Sequence, residues 1–338
     1  CIPNTKYGKM RVMTTWLYFQ SEPKTSAGEQ LGGVQSVAAR FGWHVQIVEG
    51  IPTARKIKSF VSFWNPDGAI VECGGTASDV DPSAFGHLPV VFFVHDPRVL
   101  PANAFCVTHD SAATGRLAAR ELMEGGAANF AFVPYPHRRF WSEERERGYV
   151  EALSLNGYGC RVFSARFSAK DPTRWQRRLR EFLEGLPRPC ALFAANDSTA
   201  AEVLTAAKFV GVRVPEDLSV VGVDDAAAVC EHTEPTLSSV KPDFRRGGEL
   251  AALLLVARLR DGVSFRGERC CTFGPLAVIR RASTRCPAVD DPTVAAALRL
   301  IRREACSGIS AKTVLGGFPC SRRMAEMRFR KDVGHSVL

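Results

Sequence analysis

One recurrence limits the folds open to this chain more than any other feature. Short runs of Val, Ile, Ala and Phe, namely "MRVMTTWLYF", "HVQIVEG", "PDGAIVECGG", "PVVFFVHD", "NFAFVPYP", "CALFAAND" and "LSVVGVDD", are separated from one another by stretches of helical length. A strand that is apolar throughout has to be covered on both faces, and a connection long enough to hold a helix joins parallel neighbours. The pattern therefore predicts α/β architecture with doubly wound parallel sheets, and the runs are too many for one small sheet. Two of the intervening helices are legible. "DSAATGRLAARELMEGG" sets Leu117 and Leu122 among alanines and closes on Gly125, while "DSTAAEVLTAAKFVGV" opens on a capping Asp197 or Ser198 and closes on Gly211.

Composition sets the class. With 338 residues, 46% of them hydrophobic and 23% charged, the chain can bury a sizeable core in two or three domains. No apolar run approaches the ~18 residues of a membrane span, and no charged start followed by an apolar stretch opens the sequence, so a soluble, cytoplasmic protein is expected. Eleven scattered cysteines fit small apolar side chains in a reducing cytosol better than a disulfide frame. No CxxC or HxxxH spacing suggests a metal, and no cofactor motif is present. The absence of GxSxG, P-loop and HExxH patterns argues against an enzyme; only the pair His95 and Asp96 offers acid–base chemistry. Charge is uneven. Of a net +9, the segment from Pro292 to Leu338 carries nine Lys/Arg against three acidic residues, an excess of six in 47 positions. Such a basic terminus points to an acidic polymer, most often nucleic acid, although a solvated basic helix would look the same.

In open parallel sheets, ligands sit beyond the carboxyl ends of the strands. Polar residues collect there: Asn196 and Asp197 after "CALFAA", Asp224 and Asp225 after "LSVVGV", His95 and Asp96 after "PVVFFV". Between them "HRRFWSEERERGYVEAL" runs from loop into helix, with Trp141 just before it and Arg145 in its first turns. An amide, carboxylates and a guanidinium fork beside aromatic rings suit a polyhydroxylated ligand, which needs paired hydrogen bonds to its hydroxyls and a flat apolar surface for its C–H faces. Each residue also has an ordinary reading: Asp197 as a helix cap, Asp225 as a turn residue, Arg145 as one exposed charge among several.

The segment "FAANDSTAAEVLTAAKFVGVRVPEDLSVVGVDDAAAVCEHTEPTLSSVKPDFRRGGELAALLL", with "VTHDSAATGRLAARELMEGG" and "ERERGY", resembles the sensor core of LacI-type regulators from about Met10 to Ser283. The resemblance implies a periplasmic-binding-protein-like type I sensor of two subdomains joined by three crossovers. On this reading residues 10–126 and 238–262 form the first subdomain and 127–237 and 263–283 the second. It also implies an effector in the cleft touched by Arg145, Asn196 and Asp224, with Trp141 and Asp96 bordering it, and a monosaccharide such as xylose as that effector. Trp16, Tyr18 and Phe19 are the aromatics expected to tune the pocket. The opening "CIPNTKYGK" is too short for the DNA-binding headpiece of that family.

A DNA reader is expected at the other end. After a linker over 284–291, "DDPTVAAALRLIRREACSG" has acidic caps, Pro292 at the first helical position, an apolar face of Val294, Leu298, Ile301 and Ala305, and a stop at Gly308. "ISAKTVL" makes a short helix from Ser310, "GGFPC" a turn, and Ser321 starts a third helix. Two helices joined by a glycine-containing turn, the second bearing arginines, are the layout of a helix-turn-helix, with Ala325 and Phe329 packed inward and Arg322, Arg323, Glu326 and Arg328 turned to DNA. This stretch, 292–338, resembles the AraC/XylS DNA-binding module, whose two helix-turn-helix units occupy about a hundred residues; the sequence ends after the first. Proline at 319 stands where that family often has glycine. Together the resemblances imply a sugar-responsive transcription regulator, an activator acting as a homodimer on double-stranded operator DNA, with RNA polymerase as a further partner and no membrane. The alternative is an exported sugar-binding lipoprotein of the same sensor fold, which Cys1 invites.

Overall fold

The computed structural model describes residues 14–20, 25–73, 80–94, 96–101, 104–165, 171, 173–261, 267–284, 291–304 and 308–337. Expectations for Cys1, Met10, His95 and Ala305 lie outside the described residues. The chain divides into two compact units, Cys1–Thr284 and Arg285–Leu338. Among the described residues no helix is long and apolar enough to cross a membrane.

In the first unit the elements run β1 (Thr15–Gln20), α1 (Thr25–Arg40), β2 (His44–Glu49), α2 (Ala54–Trp64), β3 (Gly68–Glu72), β4 (Val90–Phe93), β5 (Phe105–His109), α3 (Ser111–Glu124), β6 (Phe130–Val133), α4 (Phe140–Leu155), β7 (Arg161–Val162), α5 (Arg174–Glu184), β8 (Cys190–Ala194), α6 (Asp197–Phe209), β9 (Leu218–Val223), α7 (Ala227–Cys230), β10 (Ser238–Pro242), α8 (Phe244–Asp261), β11 (Cys270–Phe273) and β12 (Pro275–Ile279). All seven apolar runs form strands. They lie in two six-stranded sheets ordered β11-β5-β4-β3-β1-β2 and β12-β10-β9-β8-β6-β7. Every described pairing is parallel except β12 on β10.

Each sheet is covered on both faces, which is why its central strands read as unbroken apolar runs. Alternation along β1 divides its side chains between two cores: Trp16 and Tyr18 join the α1/α8 side with Val34 and Leu255, while Leu17 and Phe19 join Ile57 and Phe85 on the other. Trp16, Tyr18 and Phe19 are fully buried, so they are core residues and not the pocket aromatics expected.

The sheets also correct the subdomain boundaries. α3 packs on α4, β12, β10 and β8, and so belongs with the second sheet, not the first. β10 pairs with β9 in the second sheet, and β11 pairs with β5 in the first. The chain therefore crosses near Asp110, Asp243 and Gly274, where the crossing strands clip one another: Asp110 N donates to Phe273 O at 2.8 Å and Asp243 N to Gly274 O at 3.1 Å. Because β5, β10 and β11 all leave at their carboxyl ends, those ends of both parallel sheets face the crossovers. Contacts among the described residues span the gap between the sheets' loops and helices. The Arg98 guanidinium lies 4.4 Å over the Phe140 ring, and Lys241 Nζ pairs with Glu29 at 3.1 Å.

The expected linker is shorter than predicted. Thr284, expected in the linker, belongs to the first unit: its Oγ1 bonds Ser238 Oγ at 2.7 Å, beside Ser283, whose hydroxyl accepts from Ser238 N at 2.8 Å and donates to Val220 O at 2.6 Å. Asp291 belongs to the second unit. Its Oδ1 accepts from Thr293 N at 2.8 Å, capping α9 (Pro292–Glu304). α10 (Ala311–Gly316) is capped by Ser310 and α11 (Arg322–Val333) by Ser321. Val294, Ala297, Val314, Leu315, Phe318, Ala325 and Phe329 form their shared core. No described residue between α10 and α11 has a positive φ, so Pro319 meets no conflict there.

Candidate functional site

Arg145 is the centre of the polar cluster at the carboxyl edge of the second sheet. It lies on α4, whose approach to α3 is set by two glycines: a Cβ at Gly148 would press into the Ala112 backbone, and one at Gly115 into the Arg145 carbonyl. That contact fixes the guanidinium beneath the strand ends. The residue is only 4% exposed, with Nη1 donating to Ala195 O at 2.5 Å, Nη2 facing Asp224 Oδ1 at 3.4 Å, and the Trp141 ring 4.7 Å from its central carbon. Nε has no hydrogen-bond partner among the described residues. Burial pushes the guanidinium pKa down, opposed by the negative charges of Asp224 and Asp197.

Asp224 and Asp225 end β9 with φ of 111° and 51°, a turn that bends their side chains apart. Asp224 stays partly exposed beside Arg145. Asp225 turns to Arg281 at 2.8 Å and to Lys241 at 3.8 Å, so it is held by two cations. Asn196, not Asp197 or Ser198, caps α6: its Oδ1 accepts from Thr199 N at 3.0 Å, while the Asp197 carboxyl is turned to Ser239, Ala226 and Cys230. Trp141 lies in the first turn of α4, packed 5.3 Å from Tyr135.

Asp96 differs from its expected role. Both its oxygens bind Arg98, at 2.8 Å each, and Oδ1 also caps the following turn. It therefore holds Arg98 rather than offering a free carboxylate. Sequence reasoning missed one polar feature and the setting of another. One is the buried Tyr18 hydroxyl donating to Glu72 on the next strand, where the only signal was a carboxylate closing an apolar run. The other is Asp197, read as a strand-end residue or helix cap, which is only 2% exposed and accepts from Ser239 Oγ at 2.6 Å, Ala226 N at 2.9 Å and Cys230 Sγ at 3.2 Å. Burial, and then the nearby Asp224 charge, push its pKa up to about 7.

In the second unit, Arg322, Arg323, Glu326, Met327 and Arg330 line one shallow depression on α11. Arg322 and Arg323 are exposed and Ser321 caps the helix. Arg328 is not part of this surface. It turns to the start of α9, where Nε binds Asp291 Oδ2 at 2.6 Å, since its place on the helix brings it to the carboxylate that caps α9.

Residues 119–284 match the periplasmic binding protein-like domain family. The xylose operon regulatory protein of Escherichia coli strain K12 is 32% identical over 294 residues, covering 81% of this chain and 70% of that protein. The HTH-type transcriptional regulator CelR of Thermobifida fusca is 35% identical over 156 residues, 43% of each chain. Among solved structures, that of the xylose-binding transcription activator xylR superposes with a TM-score of 0.71 at 26% identity, covering 95% of this chain and 83% of its own. These relatives are regulators, not enzymes. At that identity and coverage, the chain belongs to the xylose operon regulatory protein family of transcription regulators, built on a periplasmic-binding-protein-like sensor.

Proposed function

We propose that this chain is a cytoplasmic regulator whose sensor takes a monosaccharide, with xylose the first candidate, at the carboxyl edge of the second sheet. The observation that carries the reading is Arg145: a buried guanidinium with an unpartnered Nε, flanked by a partly exposed carboxylate and an indole ring. A sugar oxygen can accept from Nε, a sugar hydroxyl can donate to Asp224, and the C–H face of the ring can lie against Trp141. Asn196 contributes its amide donors. Asp96 is left out, because Arg98 occupies it.

The second unit is then the first helix-turn-helix of an AraC-type module, with α11 in the major groove. Arg322, Arg323 and Glu326 would meet base edges or phosphates, and Ser321 would fix the helix start. The regulators to which the chain is similar support DNA as partner; a homodimer and contact with RNA polymerase belong to the proposal alone.

Thermal unfolding with a panel of pentoses and hexoses tests the sensor. A sugar at ~100 times its dissociation constant adds ~2.7 kcal/mol to stability. Asp224→Ala should fold and lose the shift. If no monosaccharide raises the melting temperature, or the variant responds like the parent, the cleft is assigned wrongly.

A further inference from the structure

Asp197 is a buried charge that sugar binding leaves without a role. All three hydrogen bonds it accepts come from segments around the ligand-facing residues. Ala226 N and Cys230 Sγ donate to Oδ2 at 2.9 and 3.2 Å, and Ser239 Oγ donates to Oδ1 at 2.6 Å. Ser239 in turn accepts from Asp225 N at 3.0 Å. One carboxyl thus clamps both ends of the turn that presents Asp224.

This bond set tolerates two protonation states. Oδ2 faces two donors and has to remain an acceptor. Oδ1 faces only the Ser239 hydroxyl, which also lies 3.5 Å from Val240 O and can donate there while accepting from a protonated Oδ1. Protonation reverses one hydrogen bond and leaves the turn in place. What changes is charge. Asp197 is faced by Asp224 beyond β9, by Arg145 on α4 and by the Cys230 thiol on α7; Asp225, with Arg281 and Lys241, lies one contact further out. One buried cation opposes two nearby carboxylates. A hydroxylated ligand that donates to Asp224 keeps it anionic while excluding water, so its repulsion of Asp197 grows on binding.

We propose that Asp197 is a positioning residue for the ligand, and that ligand capture is coupled to proton uptake by its carboxyl, so that affinity rises as pH falls through the neutral range. This rests on the sugar-cleft reading. Its raised pKa, about 7, places the carboxyl where a small further rise changes its protonation.

Calorimetric titration of the full chain with D-xylose, near neutral pH in two buffers of different ionisation enthalpy, should give different heats. The dissociation constant should tighten about three- to tenfold between about pH 8.5 and about pH 6. Asp197→Asn keeps an acceptor for Ala226 and turns a donor to Ser239. It should bind within about threefold of the parent at the lower pH and show neither effect, whereas Asp197→Ala should lose about tenfold or more at both pH values. Equal heats with a flat parent affinity overturn the coupling, and parent-like affinity in the alanine variant overturns the positioning. A ligand-free arm stands apart from the sugar. A carboxyl that keeps its proton to higher pH when folded than when unfolded stabilises less as pH rises, so the parent's melting temperature should fall relative to the asparagine variant between about pH 6 and about pH 8.5. If the parent binds no monosaccharide, the sugar reading fails and this arm decides whether Asp197 carries the proton; a constant difference shows that it does not.

Discussion

At the scale of single residues, the site depends on a cation that burial disfavours. Arg145 keeps its charge because Asp224 and the Ala195 carbonyl face it and the Trp141 ring covers it. Lysine carries the same charge at a point, not in a planar fork, and cannot reach the carbonyl, the carboxylate and a ligand oxygen together. Arg145→Lys should therefore cost ~1–3 kcal/mol in urea unfolding and abolish the sugar-induced shift. A smaller cost with a full sugar response would show that the fork is not used. Residue type marked Asn196 and Asp224 as polar ends of apolar strands and Arg145 as a cation near them, and the family resemblance assigned them to a ligand. It misplaced Asp96 and Arg328, because the partners that engage them, Arg98 and Asp291, are set by turn geometry and by packing between helices.

At the scale of elements, the α3–α4 contact positions the guanidinium. Gly148 lies three residues past Arg145, and a side chain there would meet the Ala112 carbonyl, a backbone atom that cannot turn aside. Gly148→Ala should push α4 off α3 and lower stability by ~1–3 kcal/mol. Sugar affinity should fall with it, as read by the same titration. Gly159→Ala, where an added Cβ meets nothing within 4 Å, is the matched control and should leave both unchanged. Helix spacing makes α3 and α4 readable as helices. Which sheet α3 covers is not encoded in its periodicity, and for that reason the expected boundary fell after α3 instead of before it. Five strands escaped notice: β7, β11 and β12 are edge strands, partly exposed, without the unbroken apolar run that two-sided burial produces, while β5 (FCVTH) and β10 (SSVKP) are interior but carry polar residues within the run.

At the scale of the whole molecule, each unit has its own core, so damage to one should spare the other's function. Phe329 is 2% exposed in the core of the second unit. Phe329→Ala should cost that unit ~3–5 kcal/mol. It should reduce binding to labelled DNA duplexes while leaving the sugar-induced thermal shift intact. In the parent, DNA affinity should fall with salt by a log–log slope of about −0.9 per phosphate neutralised. A sugar response lost together with DNA binding would contradict the separation. The sequence by itself determined seven of the strands, among them most of the two sheets' central ones, the helices between them, the polar strand ends and the basic three-helix terminus. Periodicity, caps and uninterrupted apolar runs are local consequences of burial and hydrogen bonding, and they are written residue by residue. Only the tertiary structure decided where the chain crosses between sheets, that Trp16, Tyr18 and Phe19 are core, and that Asp197 is a buried carboxyl whose pKa burial and the Asp224 charge raise. Those outcomes depend on which surfaces meet, and on the field that distant charges make at one point, neither of which any short stretch of sequence contains.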